Sequence, residues 1–212
     1  MELEYSVTSW LEKNWQKLLL VLLLLLFVVL GVGAFILQRD KIKTRVADKI
    51  YNFEEISLKE FHEKKIEATE LWNRYLKLLE EENFHTSFSR SSLVMVDRFL
   101  AIKKVDLAQQ ALEVLIKKLP SDPYVQYFFY HRMALVYDQK EEWQKGLDVL
   151  KKIQSLSVKI FPEEIYFLQG RMFEKLNKKE DSQKALSFLV KEFPQSKFAS
   201  LARIYLQRQQ QN

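Results

Sequence analysis

The strongest hydrophobic pattern of the chain is a run of uncharged residues over 18–37, LLLVLLLLLFVVLGVGAFIL. A helix rises about 1.5 Å per residue, so this run spans about 30 Å, the thickness of the hydrocarbon core of a bilayer. Five successive leucines, Leu22 to Leu26, leave no polar face, which disfavours a buried helix of a soluble core. The pattern predicts one transmembrane helix over 18–38 after a short N-terminal tail, 1–17.

The predicted anchor is bounded by residues typical of a membrane interface. Trp10 and Trp15 precede it, and tryptophan favours the headgroup layer. A cleaved signal peptide is the alternative, but its apolar region is shorter, about 7–15 residues. We expect an uncleaved anchor whose lipid-facing positions include the following leucines: Leu18, Leu22, Leu26, Leu30 and Leu37.

Beyond the anchor, apolar residues recur at the spacing of a helix, and the whole chain has only four glycines and four prolines. The membrane helix is predicted to continue into residues 39–57, and residues 59–83 to form another helix. The polar stretch 83–89 predicts a break. Residues 39–86 are therefore interpreted as a helical connector with the first helix pair.

Three similar segments follow, at 109–115, 144–150 and 183–189. Their small residues, Ala111, Gly146 and Ala185, are 35 and then 39 positions apart. A period near 34 is typical of tetratricopeptide repeats, in which a small residue lets the second helix of a pair approach the first. The third copy is expected to have a turn about three residues longer. Residues 87–212 therefore predict an all-α, right-handed solenoid with a capping helix from Ser196 to Gln207, whose polar end shields the last face.

The middle copy indicates a binding groove. Ala134 and Tyr137 lie 12 and 9 residues before Gly146, as in the first helix of a tetratricopeptide repeat. First helices line the concave face of such stacks, where a peptide or helix binds. Matching positions predict the following groove residues: Phe128, His131, Leu135, Asp138 and Gln139. For Phe128 and Leu135, an ordinary place in the core between repeats stays open as the alternative.

Composition narrows the chemistry. The net charge is +5, with lysines mostly interleaved with acids, which indicates solvated helix faces and not a nucleic-acid surface. The chain has no cysteine, and its three histidines fall on separate segments without metal-ligand spacing. No phosphate-binding glycine loop is present. We expect no enzyme, no cofactor, no metal and no small-molecule substrate; the expected partners are other proteins and the bilayer.

The tail SWLEKNWQK, the leucine-rich anchor, the connector and the three repeat-like units together resemble the ancillary subunit of the bacterial Sec translocon. The stretch FHTSFSRSSLVMVDRFLAIKKVDLAQQALEVL, through to WQKGLDVLKKI, is similar to the central region of that family. The resemblance implies an inner-membrane protein with periplasmic repeats, and translocon subunits or chaperones as partners. The stretch KEFPQSKFASLARIYL also resembles repeats of an envelope-assembly lipoprotein, a group that usually carries a lipobox cysteine.

Flanking charge predicts the opposite topology. Two basic residues lie in the tail, and five closely follow the anchor: Arg39, Lys41, Lys43, Arg45 and Lys49. Basic residues favour the cytoplasmic side, although long domains cross membranes largely regardless of this bias. A cytoplasm-facing adaptor therefore stays the alternative to periplasmic repeats.

Overall fold

The computed structural model describes residues 2–118 and 122–211, and it divides into the units Met1–Lys49 and Ile50–Asn212. Every regular element in the described part is helical. This confirms the all-α class, with one long apolar helix at the N-terminus and helix pairs packed like repeats. Met1, 119–121 and Asn212 lie outside the described residues, so the outermost limits predicted for the tail and the repeats are not tested.

Helix α1, Glu2–Phe53, contains the predicted anchor and continues into the connector, as its uninterrupted periodicity indicated. The apolar window of this helix has none of its surface buried by protein. All five predicted lipid-facing positions are exposed: Leu18, Leu22, Leu26, Leu30 and Leu37. Within the described residues, the chain thus carries one helix that is long and apolar enough to cross a membrane.

The connector differs from the prediction at one point. After a π-helical turn over Glu54–Leu58, helix α2 covers only Lys59–His62, and helix α3 covers Ala68–Glu81. The single helix predicted over 59–83 is therefore wrong. The cause is a left-handed residue, Lys64 at φ 59°, which bends the chain where no glycine or proline signals a break.

Tyr75 of α3 holds this part of the second unit together. Its ring packs 5.1 Å from that of Phe53 and 6.2 Å from that of Phe88, between centroids. Its hydroxyl lies 2.7 Å from Ser91 Oγ and 3.0 Å from Ser92 Oγ. Burial raises the pKa of Tyr75 to about 12. The two serines therefore satisfy a buried phenol.

The remaining helices form three pairs and a final single helix. In each pair the first helix packs against the second, and α10 packs against both helices of the last pair. The helices are α4 Ser89–Ala101, α5 Val105–Lys118, α6 Pro123–Gln139, α7 Trp143–Ser155, α8 Pro162–Lys175, α9 Lys179–Glu192 and α10 Lys197–Gln211. Asp122 caps the N-terminus of α6, because its Oδ1 accepts from the backbone N–H groups of Tyr124 and Val125.

The same three-residue turn joins the two helices of each of the three pairs. Its middle residue, Lys103, Glu141 or Asn177, adopts a left-handed conformation at φ 60°, 59° or 58°. The next backbone N–H bonds to a carbonyl five residues earlier, at 2.8, 2.9 and 2.9 Å in chain order. This is a Schellman ending, which satisfies the last carbonyls of the first helix. The longer third turn predicted from the sequence is wrong, since all three turns have equal length.

Because the turns have equal length, the fourth residue of the second helix in each pair is small and buried. These residues are Ala108, Gly146 and Ser182. Helix packing is close here. A Cβ atom on Gly146 would lie 3.6 Å from Tyr137 Cβ of the same pair and 2.7 Å from Met172 Sδ of the next pair, and one on Gly170 would lie 2.5 Å from Leu186 Cγ of its own pair. Ser182 Oγ donates a 2.8 Å hydrogen bond to the carbonyl of Gly170.

The predicted small positions are thus confirmed for Gly146 and shifted in the other two copies. Ala111 is fully buried but lies one turn beyond Ala108, whereas Ala185 is only half-buried. The expectation that Ala185 packs between paired helices is therefore wrong; Ser182, one turn earlier, takes that place.

The corrected register predicts unequal costs for one and the same substitution. Ala111→Leu should overpack the core and lower the free energy of unfolding by about 1–3 kcal/mol. Ala185→Leu is the matched control, and as a half-exposed change it should stay within about 0.5 kcal/mol of the parent. Denaturant unfolding of the solubilised full chain measures both. An equal loss in the two variants would contradict the register.

Candidate partner-binding face of the first helices

The first helices of successive pairs are joined by side-chain contacts into a row, here called the first-helix row: α4, α6, α8 and α10. Asp97 of α4 binds Arg132 of α6 through two contacts of 3.1 Å. Arg171 Nη2 of α8 lies 3.3 Å from Asp138 Oδ2 of α6. At the last step, the Phe167 ring packs 5.5 Å from Phe198 and 5.7 Å from Tyr205 of α10.

The predicted groove residues divide into two groups in this row. Phe128 and Leu135 are half-buried and Gln139 is exposed, so all three keep surface available to a partner. His131, in contrast, is only 9% exposed. The expectation that His131 lies exposed in a groove is therefore wrong.

His131 and Asp138 instead join α6 to α8. The imidazole stacks on the Tyr127 ring at 6.0 Å with 13° between planes, and its Nε2 lies 3.3 Å from Glu164 Oε1. The Asp138 carboxylate faces Arg171, as described above. Replacing either residue would disturb the packing of the stack, so they are unsuitable as pure probes of binding. A partner-binding role for the five residues stays a prediction.

The open part of α6 combines an aromatic ring with a cation. The guanidinium carbon of Arg132 lies 5.8 Å from the centroid of the Phe128 ring. Arg132 also forms the pair with Asp97, which fixes the side chain in place. A preorganised surface of this kind loses less conformational entropy on binding than a mobile one.

A cleft of about 140 Å³ lies beside the row, between the end of α7 and the start of α8. Its lining is mainly apolar: Tyr127, Ile153, Gln154, Val158, Lys159, Ile160, Pro162, Ile165 and Tyr166. The Tyr127 hydroxyl is buried and has no hydrogen-bond partner among the described residues. Burial, reinforced by the charges of Glu164 and Glu163, raises the pKa of Tyr127 to about 12. The cleft therefore offers mainly apolar walls, and the neutral hydroxyl of Tyr127 is buried.

Sequence reasoning did not find this cleft. Its residues come from three helices and a loop, so no local spacing marks them. Phe161 is left-handed at φ 44°, which turns the chain into α8 and brings Ile160 and Pro162 to the cleft. The only local signal is Pro162, because proline is common in the first turn of a helix and α8 begins there.

Electrostatics at the α6–α8 contact centres on Glu164. The close approach of His131 is the largest cause that lowers the pKa of this carboxyl group, and Lys197 and Arg132 contribute less. Burial acts in the opposite direction. The other two histidines lie elsewhere: His62 contacts Arg98, and His85 Nδ1 accepts from Ser87 N at 3.2 Å. The three histidines are thus not brought together.

No family model, curated protein or solved structure matches the chain. The resemblance to the translocon subunit therefore stays a prediction.

The lowered pKa of Glu164 predicts a pH dependence. A carboxyl group with a lower pKa in the folded state stabilises the fold above its unfolded pKa, and this contribution disappears as the pH falls through the folded value. Glu164→Gln should therefore cost up to about 1 kcal/mol at pH 7, because the pair is partly exposed, and should weaken the loss of stability below about pH 5. Thermal unfolding between pH 7 and pH 3 measures this.

The neighbouring change Glu163→Gln is the control, since no ion pair of the described residues includes Glu163. If Glu163→Gln flattened the pH profile as much as Glu164→Gln, the contact with His131 would not be its cause.

Proposed function

We propose that this protein is a membrane-anchored, tetratricopeptide-like scaffold that binds a segment of another protein along the first-helix row. The observation that carries the proposal is the row itself. Ion pairs and aromatic contacts fix its helices, and Phe128, Leu135 and Gln139 stay accessible on α6. A fixed surface that mixes apolar, aromatic and polar groups fits protein recognition.

The proposed partner segment is a peptide or helix with apolar side chains. The Phe128–Arg132 surface offers contact area with a cation at its edge. The cleft beside Tyr127 has mainly apolar walls and room for one apolar side chain.

The proposed location is the bacterial inner membrane, with the repeats in the periplasm beside the translocon or its chaperones. The sequence resemblance supports this proposal. The second candidate is a cytoplasm-facing adaptor of the same architecture, favoured by the five basic residues that follow the anchor against two before it.

Binding along the row is tested with variants that keep the bridging contacts. Phe128→Ala combined with Gln139→Ala should reduce partner capture from solubilised membranes by about tenfold or more, since aromatic residues are enriched among those that dominate binding energy. Capture is measured by quantitative crosslinking of the full-length protein, with thermal unfolding of each variant.

The matched control lies on a second helix. Phe188→Ala combined with Gln183→Ala removes the same residue types from α9, where Phe188 is 42% exposed. The control should capture the partner normally. An equal effect of both pairs, or no effect of either, would contradict binding along the row. If the protein lost partner capture only when α1 was replaced, the membrane helix would be the contact surface.

Topology is tested separately, with reporter fusions after Asn212. A reporter enzyme that requires disulfide bonds should be active, and one that works only in the cytoplasm should be inactive. The reverse pattern would favour the adaptor, in agreement with the flanking charge. Both fusions must first resist alkaline carbonate extraction, which shows that the anchor is retained.

A further inference from the structure

Helix α10 has an exposed apolar stripe. Leu201 is 43% and Ile204 is 46% exposed, although the sequence predicted a capping helix with a shielded last face. The opposite side of α10 is in the core, where Ala199 and Ala202 are fully buried against the last pair. The helix is therefore packed on one side and open on the other.

Helix α8 shows what normally covers such a stripe. Residues 34 positions before Leu201 and Ile204 are Phe167 and Gly170. Both are buried in α8, and Leu186 and Ser182 of the following helix, α9, contact Gly170. The buried side of α10 follows the same 34-residue spacing. Ala199 and Ala202 correspond to Ile165 and Leu168 of α8, and all four residues are buried. Helix α10 thus corresponds to the first helix of a pair. Among the described residues, no helix that would correspond to the second helix of that pair covers its outer stripe.

The charges of α10 restrict what can take that place. The helix carries Lys197, Arg203 and Arg208 and has no acidic residue. Lys197 lies one turn before Leu201, and Arg208 lies one turn after Ile204, on the same face by helical spacing. The stripe thus has an apolar centre with a basic residue at each end. Two copies of the stripe packed together would bring like charges into contact, which is unfavourable.

We propose that the outer stripe of α10, defined by Leu201 and Ile204 with Lys197 and Arg208, binds an acidic amphipathic helix of a partner protein. The partner helix packs as α9 packs on α8, with apolar residues on Leu201 and Ile204 and carboxylates near the two basic residues. This surface is separate from the Phe128 surface of the first-helix row, so it does not depend on the function proposed above.

The test uses two synthetic peptides derived from α9 and the full-length protein in nanodiscs of zwitterionic lipid. In the acidic peptide, the three lysines of α9 are replaced by glutamate; in the basic peptide, its acids are replaced by lysine. The acidic peptide should bind at least about tenfold more tightly than the basic one, and added salt should reduce the difference. Fluorescence anisotropy of labelled peptide measures both affinities.

Substitutions locate the binding surface. Leu201→Gln combined with Ile204→Gln should weaken the acidic peptide about tenfold or more, and Arg208→Glu should weaken it in a salt-dependent way. Val94→Gln combined with Ile102→Gln is the matched control, because these apolar residues are also exposed, at 40% and 44%, and it should bind normally. All variants should unfold as the parent does.

Equal binding of both peptides, or binding of the acidic peptide that is unchanged in the Leu201→Gln, Ile204→Gln variant, would overturn the proposal. A dimer of the parent protein that this double variant dissociates would also overturn it and would assign the stripe to a second copy of the chain. The fourth contrary outcome is adsorption to anionic vesicles that the double variant abolishes while the acidic peptide does not bind, which would assign the stripe to a membrane surface.

Discussion

The close approach of paired helices at one small residue is the constraint on which the repeat stack depends. A left-handed residue in each three-residue turn reverses the chain. In the third pair, the fourth residue of the second helix, Ser182, donates a 2.8 Å hydrogen bond to the Gly170 carbonyl of the first helix. A Cβ atom on Gly170 would lie 2.5 Å from Leu186 Cγ of the second helix, so a side chain there requires neighbouring groups to move. Because the turn repeats without change in length, a small, buried residue recurs at the same position of each pair.

This geometry explains why the surface of the first helices is both fixed and partly polar. Once the pairs are formed, consecutive first helices lie close enough for Asp97 to reach Arg132 and for Asp138 to reach Arg171. Partly exposed ion pairs contribute little stability, about 0–1 kcal/mol each. Their effect here is positional: they hold Arg132 over Phe128 and leave one side of α6 open. The surface that a partner can use is thus a consequence of how the pairs are spaced.

The sequence predicted the class of each element better than its register. A long uncharged run and recurring small residues are local signals, so the anchor and the helix pairs could be predicted. Ala108 and Ala111 lie one turn apart on one buried face, so the spacing could not distinguish them. Ser182 was missed because a serine does not mark a buried contact until its acceptor, the Gly170 carbonyl, is known. Lys103 gave no turn signal, since left-handed positions usually carry glycine or asparagine. His131 was placed correctly along its helix but was thought exposed, because Glu164 is 33 residues away in sequence.

Attachment to a membrane through α1, as proposed, would change how strongly the two proposed surfaces need to bind. For a partner in the same bilayer, tethering replaces free encounter with a high effective concentration, which can raise overall affinity by about 10²–10⁴ without any new contact. The modest surface formed by Phe128, Leu135 and Gln139 would then be sufficient where an untethered protein would need a larger interface. The same tethering would help the stripe on α10. A short stripe binds weakly by itself, and its basic residues add specificity through the charges of the partner. A scaffold of the proposed kind would select partners through location first and through side-chain contacts second.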